Sequence, residues 1–105
     1  MNSPESLFEE IGTRFGETHG ASLGQMFGKR CIKVNGKAFA SFFQDAMVFK
    51  LSGERHAEAL NLPGSVLFDP SGKGRPMKEW VQVSFEHASR WPEFAEVALQ
   101  YVENS

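Results

Sequence analysis

The chain has 105 residues, 41% of them hydrophobic and 23% charged, with a formal net charge of −2. That is one domain's worth of chain around one core, and its charge excludes a protein that grips nucleic acid over its whole surface while leaving room for a local basic patch. A single cysteine, Cys31, excludes an intrachain disulfide and fits a reducing cytosol.

The N-terminus, MNSPESLFEE, lacks the basic start and apolar run of a signal peptide. No apolar stretch approaches the roughly 20 residues needed to cross a bilayer. The expectation is a cytoplasmic protein with no membrane contact.

The first element reads as a helix. Ser3 suits the N-cap, Pro4 the first helical position, and Glu5 the positive end of the helix dipole. Leu7, Phe8, Ile11 and Phe15 recur at helical spacing and face a core, and Gly16 reads as the stop. Glycine stands at every fourth position from Gly12 through Gly28. In an apolar helix that spacing permits close backbone approach. Here the neighbours are polar, so the glycines are read as ending the helix and punctuating the following loop and strand.

A hairpin follows. RCIKV and KAFASFF flank Asn35-Gly36, a pair that favours a type I′ turn. Regular alternation pairs Val34 with Lys37 and sets Ile32 opposite Phe39. It places Ile32, Val34 and Phe39 on one face, and Cys31, Ala38, Ala40 and Phe42 on the other. Neither face is polar, so helices are expected on one side and some other cover, such as a second subunit, on the other. Gln44-Asp45 predicts a further turn and Met47 to Leu51 a third strand. Ser52 caps a short helix from Gly53 to about Leu60, which ends before Pro63 and Gly64. SVLF and KEWVQV read as strands joined by a Gly/Pro-rich loop. Phe94, Ala98, Tyr101 and Val102 give a last helix with Pro92 in its first turn. This order predicts an α+β fold, an antiparallel sheet with N-terminal, short middle and C-terminal helices packed on it, in a single domain over 1–105.

The loop Asp69-Pro70-Ser71-Gly72-Lys73-Gly74-Arg75-Pro76 has the glycines and cations of a phosphate cradle. It is not a P-loop: Leu67 stands where the first glycine belongs, and Gly74 where Ser or Thr should follow the lysine. It reads first as a strand-connecting turn, and otherwise as an anion or partner contact through Lys73, Arg75 and Lys78. His19, His56 and His87 lie far apart without ligand spacing, so no metal or cofactor is expected. Cys31 in a strand reads as a small core residue, and no nucleophile motif occurs. Lys29, Arg30, Lys33 and Lys37, with Lys50, Lys73, Arg75 and Lys78, hold most of the positive charge, while the carboxylates gather in the terminal helices. Such an edge could meet nucleic acid or an acidic surface, or simply guard the sheet against aggregation. Phe42 and Phe43 could stack on single strands, though strand phenylalanines are usually core. Burial is expected for Trp80, while Trp91 is open between core and interface.

The run of MFG (Met26, Phe27, Gly28), VNGKAFA (Val34 to Ala40), VFKL (Val48 to Leu51) and GRPMKEWV (Gly74 to Val81) resembles the N-terminal domain of the TfoX/Sxy family. The likeness spans about Phe15 to Val102, and the same motifs are similar to YjbR-like proteins. The resemblance implies a compact α+β domain without catalytic residues, standing here without the C-terminal helical domain of the competence regulators. It also implies a protein partner, since members act as regulators alongside the transcription machinery. The motif positions are Met26, Phe27, Gly28, Lys37, Gly74, Arg75, Met77, Lys78 and Trp80. The expected function is a non-enzymatic regulatory or protein-interaction domain, with a weak homodimer as one association. The alternatives are a nucleic-acid binder using the hairpin lysines, Lys29 and Lys37 among them, with Lys73, Arg75 and Lys78, and a binder of a small anionic ligand at the Gly72 to Lys78 loop.

Overall fold

The computed structural model describes residues 3–26, 28–70, 72–74 and 76–104. In chain order the elements are α1 (Pro4–His19), β1 (Ser22–Met26), β2 (Lys29–Val34), β3 (Lys37–Phe43), β4 (Ala46–Lys50), α2 (Gly53–Leu60), β5 (Val66–Phe68), β6 (Met77–Ser84), a 3-10 segment (Phe85–Arg90) and α3 (Trp91–Glu103). The strands form one six-stranded sheet in the order β1-β2-β3-β4-β6-β5, antiparallel throughout. The fold is α+β, as the element order implied.

Helix α1 starts where Ser3 and Pro4 predict. The Ser3 hydroxyl accepts from the Ser6 amide at 3.1 Å, and the Ser6 hydroxyl accepts from the Ser3 amide at 3.0 Å. This reciprocal cap satisfies two otherwise orphaned donors. The helix does not stop at Gly16. It runs one turn further to Gly20, whose φ of 70° supplies the left-handed cap. Gly12 and Gly16 are therefore helix-interior residues. At Gly12 an added Cβ would lie 3.0 Å from Leu23 Cδ2, so its lack of a side chain lets β1 come close beneath the helix. Strand β1 itself was legible only as part of a glycine-punctuated stretch.

The helices cover one face of the sheet. Phe8, Ile11 and Phe15 from α1, with Phe94, Ala98, Leu99 and Val102 from α3, pack on Ile32, Phe39, Met47, Phe49, Val81 and Val83. Full burial of each large side chain contributes about 1.5–3 kcal/mol. Trp91 joins this core, fully buried with its Nε1 donating to the Ser84 carbonyl at 3.2 Å. Arg30 ties α1 to the sheet, reaching Glu5 and, at 3.1 Å, Glu9, with its guanidinium over the Phe8 and Phe42 rings. A second network joins Arg90 to Glu58 and Glu93, and Arg55 to Glu93, above the Phe94 ring.

The hairpin register differs from regular alternation. Val34 pairs with Lys37 as expected, but Ile32 pairs with Ala40 rather than Phe39. The register shifts between Ile32 and Lys33, and Phe39 is the extra residue of a bulge on β3. The bulge lets the consecutive Phe39 and Ala40 both enter the helix-side core, where the Phe39 ring meets Phe15 at 6.1 Å. Ala40 and Phe42 thereby turn to the helix side instead of sharing a face with Cys31 and Ala38. Ser52 stands at the N-cap of α2, but its side chain makes no capping bond there.

The second face is apolar at its centre, as the hairpin predicts. A cross-strand row runs Gly24, Cys31, Ser41, Val48, Gln82 and Val66 across all six strands. Over it lies a small cluster of Val48, Phe68 and Trp80, with Ala38, Phe43 and Met77 packed against it. The Phe43 and Phe68 rings stand 5.4 Å apart although β4 and β6 separate their strands. A flat sheet would hold such rows roughly 14 Å apart, so the sheet coils toward this face. Val48 is fully buried beneath these side chains.

Candidate interaction face

The Gly/Pro loop is a turn closed on its own carboxylate. Asp69 Oδ1 accepts from the Gly72 amide at 3.1 Å and Oδ2 from the Gly74 amide at 2.9 Å, and the Asp69 carbonyl accepts from Gly72 at 3.2 Å. Gly72 and Gly74 have φ of 68° and 77°, which the tight path requires. An incoming phosphate would need these same N–H groups, and the loop already holds an anion on them. The composition of the loop signalled glycines and cations; Asp69 as the anchor was missed.

The register sets Lys29 apart from the other predicted contact residues. Lys37 opens β3 beside the Asn35-Gly36 turn, while Lys29 opens β2 at the opposite end of the hairpin. Lys73 is exposed in the loop, and Lys78 is exposed near the start of β6, where its carbonyl accepts from His56 Nε2 at 2.7 Å. Gly28 turns between β1 and β2 with φ of 74°. Met77 and Trp80 belong to the second-face cluster, Trp80 only 6% exposed. Phe27 and Arg75 lie outside the described residues, as does the side chain of Met26.

The structure brings a different set together. From the register, Lys33 follows Cys31 and Lys50 follows Val48 on the second face, and Lys29 precedes Cys31 there. Lys29 Nζ sits 4.9 Å from the centre of the half-buried Phe43 ring, and the Lys33 stem lies over Gly24. No strand residue on this face is acidic. Glu79, the acidic residue of β6, faces the helices instead, where Tyr101 donates to it; that bond pushes the Tyr101 hydroxyl's pKa up.

Charge therefore divides the molecule. Every described arginine, Arg14, Arg30, Arg55 and Arg90, is ion-paired to a glutamate. Among the described residues, Lys29, Lys33, Lys50 and Lys78 make no ion pair. The sequence placed Lys33 and Lys50 in the basic set, but only the register shows that they share a face with Phe43.

Two of the histidines make hydrogen bonds between elements. His87 Nε2 donates to the Pro63 carbonyl at 2.8 Å, so His56 and His87 each pin α2 or its flanking turn to a neighbouring element. Cys31 is buried, and burial pushes its thiol pKa up, away from the reactive thiolate. Among the described residues no three His, Cys, Asp or Glu side chains come together as a metal group, and no helix is long and apolar enough to cross a membrane. Comparison with protein-family models and with curated proteins finds no match to this chain.

Proposed function

We propose that this chain is a non-catalytic regulatory interaction domain, of the kind its likeness to the TfoX N-terminal domain implies, and that it meets its partner through the second face of the sheet. One observation carries the reading: Lys29, Lys33 and Lys50 stand around an apolar centre with no carboxylate among the strand residues beside them, while the helix side has its arginines neutralised. Unpaired charge of one sign on one face steers an oppositely charged partner and raises the encounter rate.

The test is amide chemical-shift mapping of the labelled protein with two polyanions, polyglutamate and an oligothymidylate. Shifts centred on β2, β3 and β4 with either probe support the reading. Shifts confined to the Asp69 to Pro76 loop transfer it to a small-anion site, and no shift with either probe at low salt refutes it. Self-association enters this proposal only through the outer edge of β1, where Leu23 is 58% exposed. Sedimentation equilibrium measures it, and a monomer at the highest attainable concentration removes the homodimer.

A further inference from the structure

We infer that the second sheet face binds single-stranded nucleic acid, with Lys29, Lys33 and Lys50 on phosphates and Phe43 under a base. This rests on the reading of that face as the contact surface and names what it contacts. Three observations lead there.

First, the charged strand residues of the face are all lysines. Lysine is depleted at protein–protein interfaces, whereas clustered unpaired lysines are the footprint of a phosphate backbone. Second, their spacing suits a flexible polyanion. Lys29 and Lys33 are four residues apart on β2, roughly 13 Å, and Lys33 and Lys50 are two strands apart, roughly 10 Å. Third, Phe43 is half-buried at the Lys29 end of the face, with Lys29 Nζ over its ring 4.9 Å from the centre, while Phe42, its neighbour in sequence, is turned to Phe8 and Arg30 on the helix side. An aromatic ring beside cations on a sheet is a stacking platform for an unpaired base, which a duplex does not offer.

The glycine amides of the loop are held by Asp69, so the proposal places the phosphate contacts on the strand lysines and does not draw on the loop backbone.

The experiment is fluorescence anisotropy of a labelled oligothymidylate, the same strand in duplex form, and labelled polyglutamate, at low and physiological salt. Three phosphate contacts give a slope of about −2 in log K against log salt for the single strand. The triple variant Lys29→Gln/Lys33→Gln/Lys50→Gln is expected to abolish that slope, and Arg14→Gln on the helix side to leave it unchanged. Phe43→Leu, which keeps an apolar group against Phe68, is expected to weaken the single strand by about fivefold or more and to spare any duplex binding. Melting curves check that each variant folds, and the surface lysine variant stands as the test if Phe43→Leu does not. Equal or tighter binding of the duplex overturns the inference, as does single-strand binding that survives the triple variant. Lysine-dependent binding of polyglutamate without the oligothymidylate also overturns it while leaving the interaction-domain reading in place. No binding of the oligothymidylate at low salt overturns it outright.

Discussion

Replacing Asp69 by alanine tests whether the Gly/Pro loop is a turn or a phosphate cradle. The substitution removes the carboxylate acceptor of two backbone N–H groups, at 3.1 Å from Gly72 and 2.9 Å from Gly74. Hydrogen bonds to charged groups contribute about 1.5–3 kcal/mol each in protected sites. Gly72 and Gly74 are exposed, and water takes back much of that, so about 0.5–1 kcal/mol per bond and about 1–2 kcal/mol in total is the expected loss. For a domain of this size each kcal/mol moves the melting temperature by about 4–8 °C, which predicts a fall of roughly 4–16 °C. Gly74→Ala isolates the backbone contribution. Its added Cβ meets nothing within 4 Å, so only the φ of 77° resists it, at a cost of about 1–2 kcal/mol. The assay is thermal unfolding by circular dichroism, in phosphate-free buffer and again with inorganic phosphate. A turn predicts destabilised variants and a wild-type midpoint that phosphate does not move. A cradle predicts a wild-type midpoint that rises with phosphate, as mass action requires of a native-state ligand. Asp69→Ala that melts with the wild type, or a wild-type midpoint raised by phosphate, refutes the reasoning.

Two further outcomes follow from the same geometry. Gly12→Ala is expected to raise stability by up to about 0.5–1 kcal/mol, since alanine outscores glycine in a helix interior and the 3.0 Å neighbour is the free end of a 58% exposed leucine that can rotate; Gly16→Ala meets the Ala21 backbone oxygen at 3.2 Å and is expected to gain nothing. Urea unfolding ranks the two, and a destabilised Gly12→Ala would mean that Leu23 is locked in place. The hydrogen bond from Arg90, then that from Arg55, holds the Glu93 carboxyl at about 2, below its ordinary 4.5. A depressed carboxyl pKa stabilises the fold above the unfolded value and loses that contribution as pH falls through the folded one, so stability should drop between about pH 4.5 and 2. Glu93→Gln should be less stable at neutral pH and show a shallower loss across that window in urea titrations; an unchanged slope would show that the network does not matter in solution.

Local rules carried much of the fold. Asn35-Gly36 made the hairpin legible because a type I′ turn needs positive φ at both positions, and their φ values are 53° and 78°. Ser3-Pro4 announced α1 by capping chemistry that involves only neighbours. Gly16 misled because a glycine permits a helix stop without imposing one, and Gly20, with the same permission, is where the cap forms. Strand β1 was weakly marked because SLGQM contains no β-branched or aromatic residue, so pairing with β2 makes it a strand. The candidate face was least legible. The roles of Arg30 and Lys33 diverge through contacts with α1 and β1 that are distant in sequence, and a count of basic residues does not separate them.

The bulge at Phe39 connects the core to the candidate face. A regular β3 would keep Ala40 and Phe42 on the side of Cys31 and Ala38. With the extra residue, Ala40 and Phe42 belong to the helix-side core, while Ala38 and Ser41 lie on the second face. Small residues there let the sheet coil until Phe43 and Phe68 meet over Val48, leaving long lysine stems as the tallest groups around a shallow apolar centre. Both faces are therefore apolar at the middle, and hydrophobicity does not tell them apart. The carboxylates do: no strand residue of the second face is acidic, and on the helix side Glu5, Glu9, Glu58 and Glu93 neutralise arginines. A chain with a net charge of −2 can thus present a locally cationic surface, because the strand residues of that face carry no carboxylate while glutamates on the helix side pair with arginines.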